Sequence, residues 1–213
     1  MLLGTGHRRV FPPAALLVFY GGALMELLDS LRSRHSTRLF TDEPLSDDEI
    51  LKLCDAAALA PSQMNSQPWH FHVATGQSRA EVGEIMALTT QYLQEYIEVL
   101  GVEGVERAAR FYEDMGRAPV IIAVSIPVFE DQAEHANALI AVGAAIENFM
   151  LAALDSGLGS CNISAPRWIV DRLTEAFQVP AGRVLASLLI VGHPDEAPLV
   201  HDRKHDAVTF LGR

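Results

Sequence analysis

Cysteine is scarce in this 213-residue chain: Cys54 and Cys161 stand far apart and form no CxxC pair. That excludes a disulfide scaffold and reads as two reduced thiols in a cytoplasmic protein. Positive charge is also in deficit. Sixteen Lys and Arg face 27 Asp and Glu, a formal charge of −11, so the broad basic surface that nonspecific nucleic-acid binding needs is missing. The eight histidines contain no HExxH pattern, and no metal site is expected. No GxxxxGK[ST] occurs, which removes P-loop nucleotide chemistry, and no GxSxG marks a nucleophile. The one glycine motif, Gly157-x-Gly159, has Asn162 where a dinucleotide fingerprint needs a third glycine. It also follows a helical pattern, so a helix cap and turn is the better reading.

Repeats, low-complexity tracts and linkers are absent too, and one domain is the default. Apolar residues make up 49% of the chain, enough for a full core. An apolar run from Val10 to Met25 is broken by Pro12, Pro13, Gly21 and Gly22. It is too short for a confident membrane span, and no A-x-A site follows it as a signal peptide requires. Residues 1–24 are therefore expected to be an extension or arm, with residues 25–213 as the domain, opening on a helix at Met25. Leu24, Leu27, Leu28 and Leu31 recur at helical spacing around that start.

Downstream, Ser46 with Glu49 predicts a capping box, stapled by Leu45 and Ile50, and Pro61 stops that helix. The run Asp47, Asp48 and Glu49 is explained as its solvated first turn. "WHFHVAT" alternates as a strand, and Ser78 with Glu81 predicts a second capping box. A long, partly polar helical region runs on to about Gly116. "APVIIAVSIP" and "RVLASLLIVG" read as core strands, "GLGSCNISAP" as a turn and "PRWIVDRLTEAF" as a helix. Residues Ala136 to Leu154 form a helix apolar almost all round, interrupted by Glu147 and Asn148, which belongs in a large core or against a partner subunit. Helices and strands without strict βαβ alternation favour α+β.

Two stretches resist a bland account. "RSRHSTRLF" places Arg32, Arg34 and Arg38 with His35, Ser36 and Thr37 in an otherwise acidic chain. Arg34, Ser36 and Arg38 alternate, so in extended backbone they can converge on one anion. The competing account is the solvated basic end of a helix. "APSQMNSQPWHF" packs amides and hydroxyls into a loop stiffened by Pro61 and Pro68, suited to a polar heterocycle. Its competing account is a plain helix-to-strand connection with Trp69 as core filler.

Together these stretches resemble the FMN-dependent nitroreductase family, whose opening half runs RRS-x-R-x-F, a short helix, then APS-x-x-N-x-QPW. Arg34, Ser36, Arg38, Phe40, Ala60, Pro61, Ser62, Asn65, Gln67, Pro68 and Trp69 carry the match. It continues in "AVGAAIENFMLAALDSGLGS" and "LLIVGHPDEAP", and is weakest from Thr75 to Arg117, the family's most variable region.

The resemblance implies an α+β homodimer with a central, mostly antiparallel sheet flanked by helices and FMN at the subunit interface. It implies that Arg34, His35, Ser36 and Arg38 hold the phosphate and ribityl side, joined by Arg203 or Lys204. Pro61, Ser62, Asn65 and Gln67 would line the flavin from the other subunit. The backbone N–H near flavin N5 would come from Ala165 or Arg167, since Pro166 has none. The implied activity is ping-pong hydride transfer from NAD(P)H to nitroaromatics, quinones or similar acceptors, with no side chain assigned as catalytic. Alternatives are a non-catalytic flavin or small-ligand binder, or a specialised relative such as a dehalogenase, aldehyde reductase or peptide dehydrogenase.

Overall fold

The computed structural model describes residues 27–198, 203 and 206–212. The expected extension, Leu24, the Met25 helix start and Lys204 lie outside them. Helix α1 (Leu27–Ser33) leads into the basic stretch. Helix α2 (Asp47–Ala58) starts on the expected capping box: the Ser46 hydroxyl accepts from the Glu49 N–H, and the Glu49 carboxylate accepts from the Ser46 N–H at 2.8 Å. Leu45 and Ile50 are both buried, as a staple requires.

Strand β1 (His70–Ala74) is followed at once by helix α3 (Gly76–Ala87). The capping box expected at Ser78 does not form. The chain turns on Gly76 at φ +51°, so the helix begins three residues earlier, at a Thr75 cap that makes no side-chain bond. Ser78 is already helical, and Glu81 instead accepts from the Gln77 amide. A 3-10 stretch (Leu88–Tyr96) leads to helix α4 (Ile97–Asp114), which is kinked at Gly101. Met115, Gly116 and Arg117 then adopt left-handed backbone in succession.

Strand β2 (Val120–Pro127), helix α5 (Gln132–Asp155), strand β3 (Gly159–Ile163), helix α6 (Val170–Ala176) and strand β4 (Arg183–Gly192) complete the domain. Gly157, at φ +74° just past α5, serves the cap-and-turn role. The segment expected as a turn is thus partly a strand. β3 pairs with β4 only, and its Gly, Ser, Cys and Asn carry little strand propensity.

The sheet order is β1-β2-β4-β3, and every neighbouring pair is antiparallel. Both faces are covered. Val120, Ile122, Val124, Leu189 and Val191 meet α2 and α5 on one side. Ile121, Ala123, Leu188 and Ile190 meet α3 and α6 on the other. Strand period two thus splits one hydrophobic run into two cores, and the fold is α+β. α5 is long and apolar enough to cross a membrane by length and composition. Within this chain, however, it buries only the stripe Ala138, Ala141, Val142, Ala145, Ile146, Phe149, Met150 and Ala153, while Leu139 and Ile140 stay open.

Candidate functional site

The backbone from Thr37 to Thr41 is pinned between distant parts of the chain. Thr37 N–H donates to Ser160 O on β3, Phe40 N–H to Gly116 O and Thr41 N–H to His193 O. In return Leu39 O accepts from Asp195 N–H, and Arg38 N–H donates to the Glu196 carboxylate at 2.5 Å. Two glycines make this approach possible. A Cβ on Gly116, itself at φ +60°, would sit 1.9 Å from Arg38 O, and one on Gly159 would sit 2.7 Å from Thr37. Thr37 and Phe40 are buried in the process.

Opposite Thr37, the chain turns Ser36 and Arg38 outward. Arg34 is the better buried arginine, and its Nε donates to Glu147 on α5 at 3.0 Å. The Arg38 guanidinium makes no ion pair among the described residues; its one bond is a long 3.5 Å reach to Ser36 O. His35 spans Ser33 O at 2.9 Å and Thr37 Oγ1 at 3.4 Å. These groups share one neighbourhood, felt by the buried Cys161. Burial pushes that thiol up, opposed by Arg38, by a hydrogen bond from the Ser36 hydroxyl and by Arg34. Arg32 stands apart, paired with Asp29 at 3.1 Å in solvent. The bland account therefore holds for Arg32, and the anion-seat account fits Arg34, Ser36 and Arg38.

Tyr112 on α4 links this seat to a second feature. Burial raises its hydroxyl pKa, Cys161 raises it further and Arg38 lowers it. The same ring lines a cavity of about 390 Å³ together with Thr89, Leu93, Tyr96 and the loop Ser164–Trp168. Trp168 stacks on Tyr92 at 4.9 Å and 7° and meets Tyr96 edge-on. Arg167 lies over the Trp168 ring and pairs with Glu95 at 3.2 Å. Ala165 is half-buried and Pro166 buried, so this loop is held rather than loose.

The amide-rich loop lies elsewhere. Met64, Asn65 and Gln67 all adopt left-handed backbone, a costly conformation for residues other than glycine. The Gln67 N–H donates to Ser62 Oγ at 2.9 Å, and the Gln67 amide to Asn65 Oδ1. Pro61, Asn65 and Gln67 are exposed and Ser62 half-buried, while Trp69 is core filler as its plain account required. Gln63, Met64, Ser66 and Pro68 border a separate cavity of about 300 Å³. α5 measures the separation: Asn137 holds Gln63 at 2.8 Å, and Glu147 holds Arg34. Ten helical residues span about 15 Å.

Within one chain the structure thus gathers Arg34, His35, Ser36 and Arg38 near the Ala165–Arg167 loop. It leaves Pro61, Ser62, Asn65 and Gln67 on another opening. Arg203 is exposed. Tyr112 and Trp168 carry no motif that marks them in sequence, and Glu196 lies in a stretch that matches the family without any role being assigned to it. Glu147 does leave a signal, as a carboxylate interrupting an otherwise apolar helix.

Residues 31–193 match the Nitroreductase family. YfhC of Bacillus subtilis, which bears the name of an NAD(P)H nitroreductase, is 27% identical over 83% of this chain and 89% of its own length. An FMN reductase [NAD(P)H] of the same organism is 28% identical over 79% of this chain and 66% of its own. Among solved structures, a nitroreductase with bound FMN from Desulfitobacterium hafniense superposes with a TM-score of 0.66 at 23% identity, covering 86% of this chain and 97% of that one. The pinned basic stretch, the amide loop and the antiparallel sheet all fall inside the matched span, and the chain belongs to the nitroreductase family.

Proposed function

We propose that this flavin-dependent oxidoreductase passes hydride from NAD(P)H to a nitroaromatic, quinone or similar conjugated acceptor, the two substrates using one pocket in turn. FMN, when bound, supplies N5 as the hydride relay; the protein's task is to hold, orient and tune it. The observation that carries this reading is an arginine whose side chain meets no carboxylate among the described residues. Arg38, next to the Ser36 hydroxyl and an Arg34 oriented by Glu147, offers forked donors that a phosphate dianion would satisfy. The residues present fit the group. His35 belongs to the same seat, and Arg203 or Lys204 is proposed to join it from the C-terminal tail. Ala165 or Arg167 is proposed to offer its N–H to the flavin ring.

Pro61, Ser62, Asn65 and Gln67 are proposed to serve the partner subunit's flavin in a homodimer. Two observations support this: the loop opens on its own cavity, and α5 leaves Leu139 and Ile140 uncovered. A cytoplasmic location is part of the proposal, supported by two free thiols. So is the assignment of residues 1–24 as an extension, supported by a family match that begins at residue 31.

Purified protein is expected to be yellow, to bleach with NAD(P)H and to regain colour with a quinone. Yellow protein that NAD(P)H does not bleach would establish the alternative, a non-catalytic flavin binder. Protein that is colourless and takes up no added FMN would sink both.

A further inference from the structure

Behind the amide loop lies a polar cluster that the proposed chemistry does not use. Arg183, the first residue of β4, is half-buried and meets no carboxylate among the described residues. Its Nε donates to Ser125 Oγ at 2.9 Å, and its Nη2 donates to Ser125 O at 2.7 Å and to Pro68 O at 2.6 Å. Ser125 is fully buried, at the bulge in the β2–β4 register. Its hydroxyl also contacts His72 Nε2 at 2.9 Å. Because Arg183 fills one lone pair of that hydroxyl, the serine proton is free to go to a neutral His72 ring.

Resting on the reading that residues 61–67 face a flavin, we propose that Arg183 is a positioning residue for that flavin. It tethers Pro68 O to the sheet and so fixes the left-handed loop that presents Ser62, Asn65 and Gln67. The loop needs such a tether. Three of its residues hold left-handed backbone, most of it is solvent-exposed, its internal bonds join Gln67 to Ser62 and Asn65, and the Asn137 bond reaches only the side chain of Gln63 at its start. Such backbone persists only where the surroundings over-determine it. The Pro68 carbonyl lies in the Pro68–Trp69 peptide, and the proline ring locks the φ that joins that plane to the Gln67–Pro68 peptide, so holding Pro68 O limits the backbone that left-handed Gln67 runs into. A guanidinium suits the task because one planar fork reaches Ser125 and Pro68 together, whereas an ammonium is a point donor. Burial lowers the Arg183 pKa from its ordinary value, yet arginine remains charged across any working pH, so the tether is permanent.

The test compares wild type with Arg183→Met and Arg183→Lys. FMN affinity is read by fluorescence titration, the bound flavin by its visible spectrum, and the loop by hydrogen exchange at the Gln67 amide without FMN. Both variants are expected to bind FMN at least tenfold more weakly and to shift its absorption bands, with Gln67 exchange accelerated at least tenfold. If Arg183→Met does not fold, Arg183→Lys, which keeps the charge and the stem, decides. Wild-type affinity, spectrum and exchange in Arg183→Lys would overturn the tether. Accelerated exchange in protein that takes up no FMN would uphold the tether and overturn the functional reading instead. Accelerated exchange with unchanged affinity and spectrum would overturn the flavin-positioning role.

Discussion

Arg32 and Arg34 are two positions apart, and in sequence only the family motif, which Arg34 matches and Arg32 does not, separates them. Their surroundings separate them too. Arg32 pairs with Asp29 in water, whereas Arg34 is largely shielded and oriented by Glu147. Arg34→Ala is expected to weaken FMN binding by one to two decades, since a charge-assisted hydrogen bond is worth roughly 1.5–3 kcal/mol. Arg32→Ala should change it little. Equal losses in a titration of both variants would point to diffuse basic charge rather than a shaped seat. His72 yields a second prediction. Burial, then His70, then Arg183 lower its pKa from 6.5 in the folded chain. The unfolded chain therefore binds the proton more readily. The stability that neutral His72 contributes is complete above about pH 6.5 and is lost as pH falls below it toward the depressed folded value. Melting temperature should drop on acidification through that window, and drop less in His72→Gln, whose amide retains a partner for Ser125. Parallel pH profiles would exclude His72 as the source. Motif residues were legible at this scale because their chemistry is local. Gly116 and Glu196 were not, because their reason for being there is a backbone brought in from far along the chain.

Whether an element's start is visible in sequence depends on whether the signal is made of side chains or of turn geometry. Ser46 and Glu49 announce α2 correctly because a capping box is a reciprocal side-chain device. Ser46→Ala is expected to cost about 1 kcal/mol. For a domain of this size that is roughly 2–4 °C in melting temperature, measurable by calorimetry. An unchanged Tm would mean that burial of Ile50, Leu53 and Ala57 alone holds the helix start. The same logic failed at Ser78, where a left-handed glycine overrides a box that looks equally good on paper. β3 was hidden for a related reason: Gly159 is small to admit Thr37, not to make a turn. The helix Ala136 to Leu154 was legible as apolar all round. Which side belongs to this chain was not, because both sides carry the same residue types.

The two sides of α5 have different fates in the molecule as a whole. Ala145 is fully buried in this chain's core, so a charge there would unfold it, while Ile140 is 71% exposed. Ile140→Asp is therefore expected to leave the monomer folded while weakening its dimer and releasing FMN. Gel filtration with absorbance at flavin wavelengths reads both. A flavin-loaded monomer, from either variant or wild type, would refute a site shared between chains. The pinning of Arg38 carries a consequence for how the molecule is made. Its N–H waits for Glu196, 158 residues later. At 5–20 residues per second, a ribosome takes roughly 8–30 s to supply that partner. The anion seat therefore cannot close until Glu196 has been made. A transcript cut short before β4 would yield polypeptide with Arg34, Ser36 and Arg38 still anchored through Ser160, Gly116 and Glu147, but without His193, Asp195 and Glu196 to hold the backbone from Arg38 to Thr41.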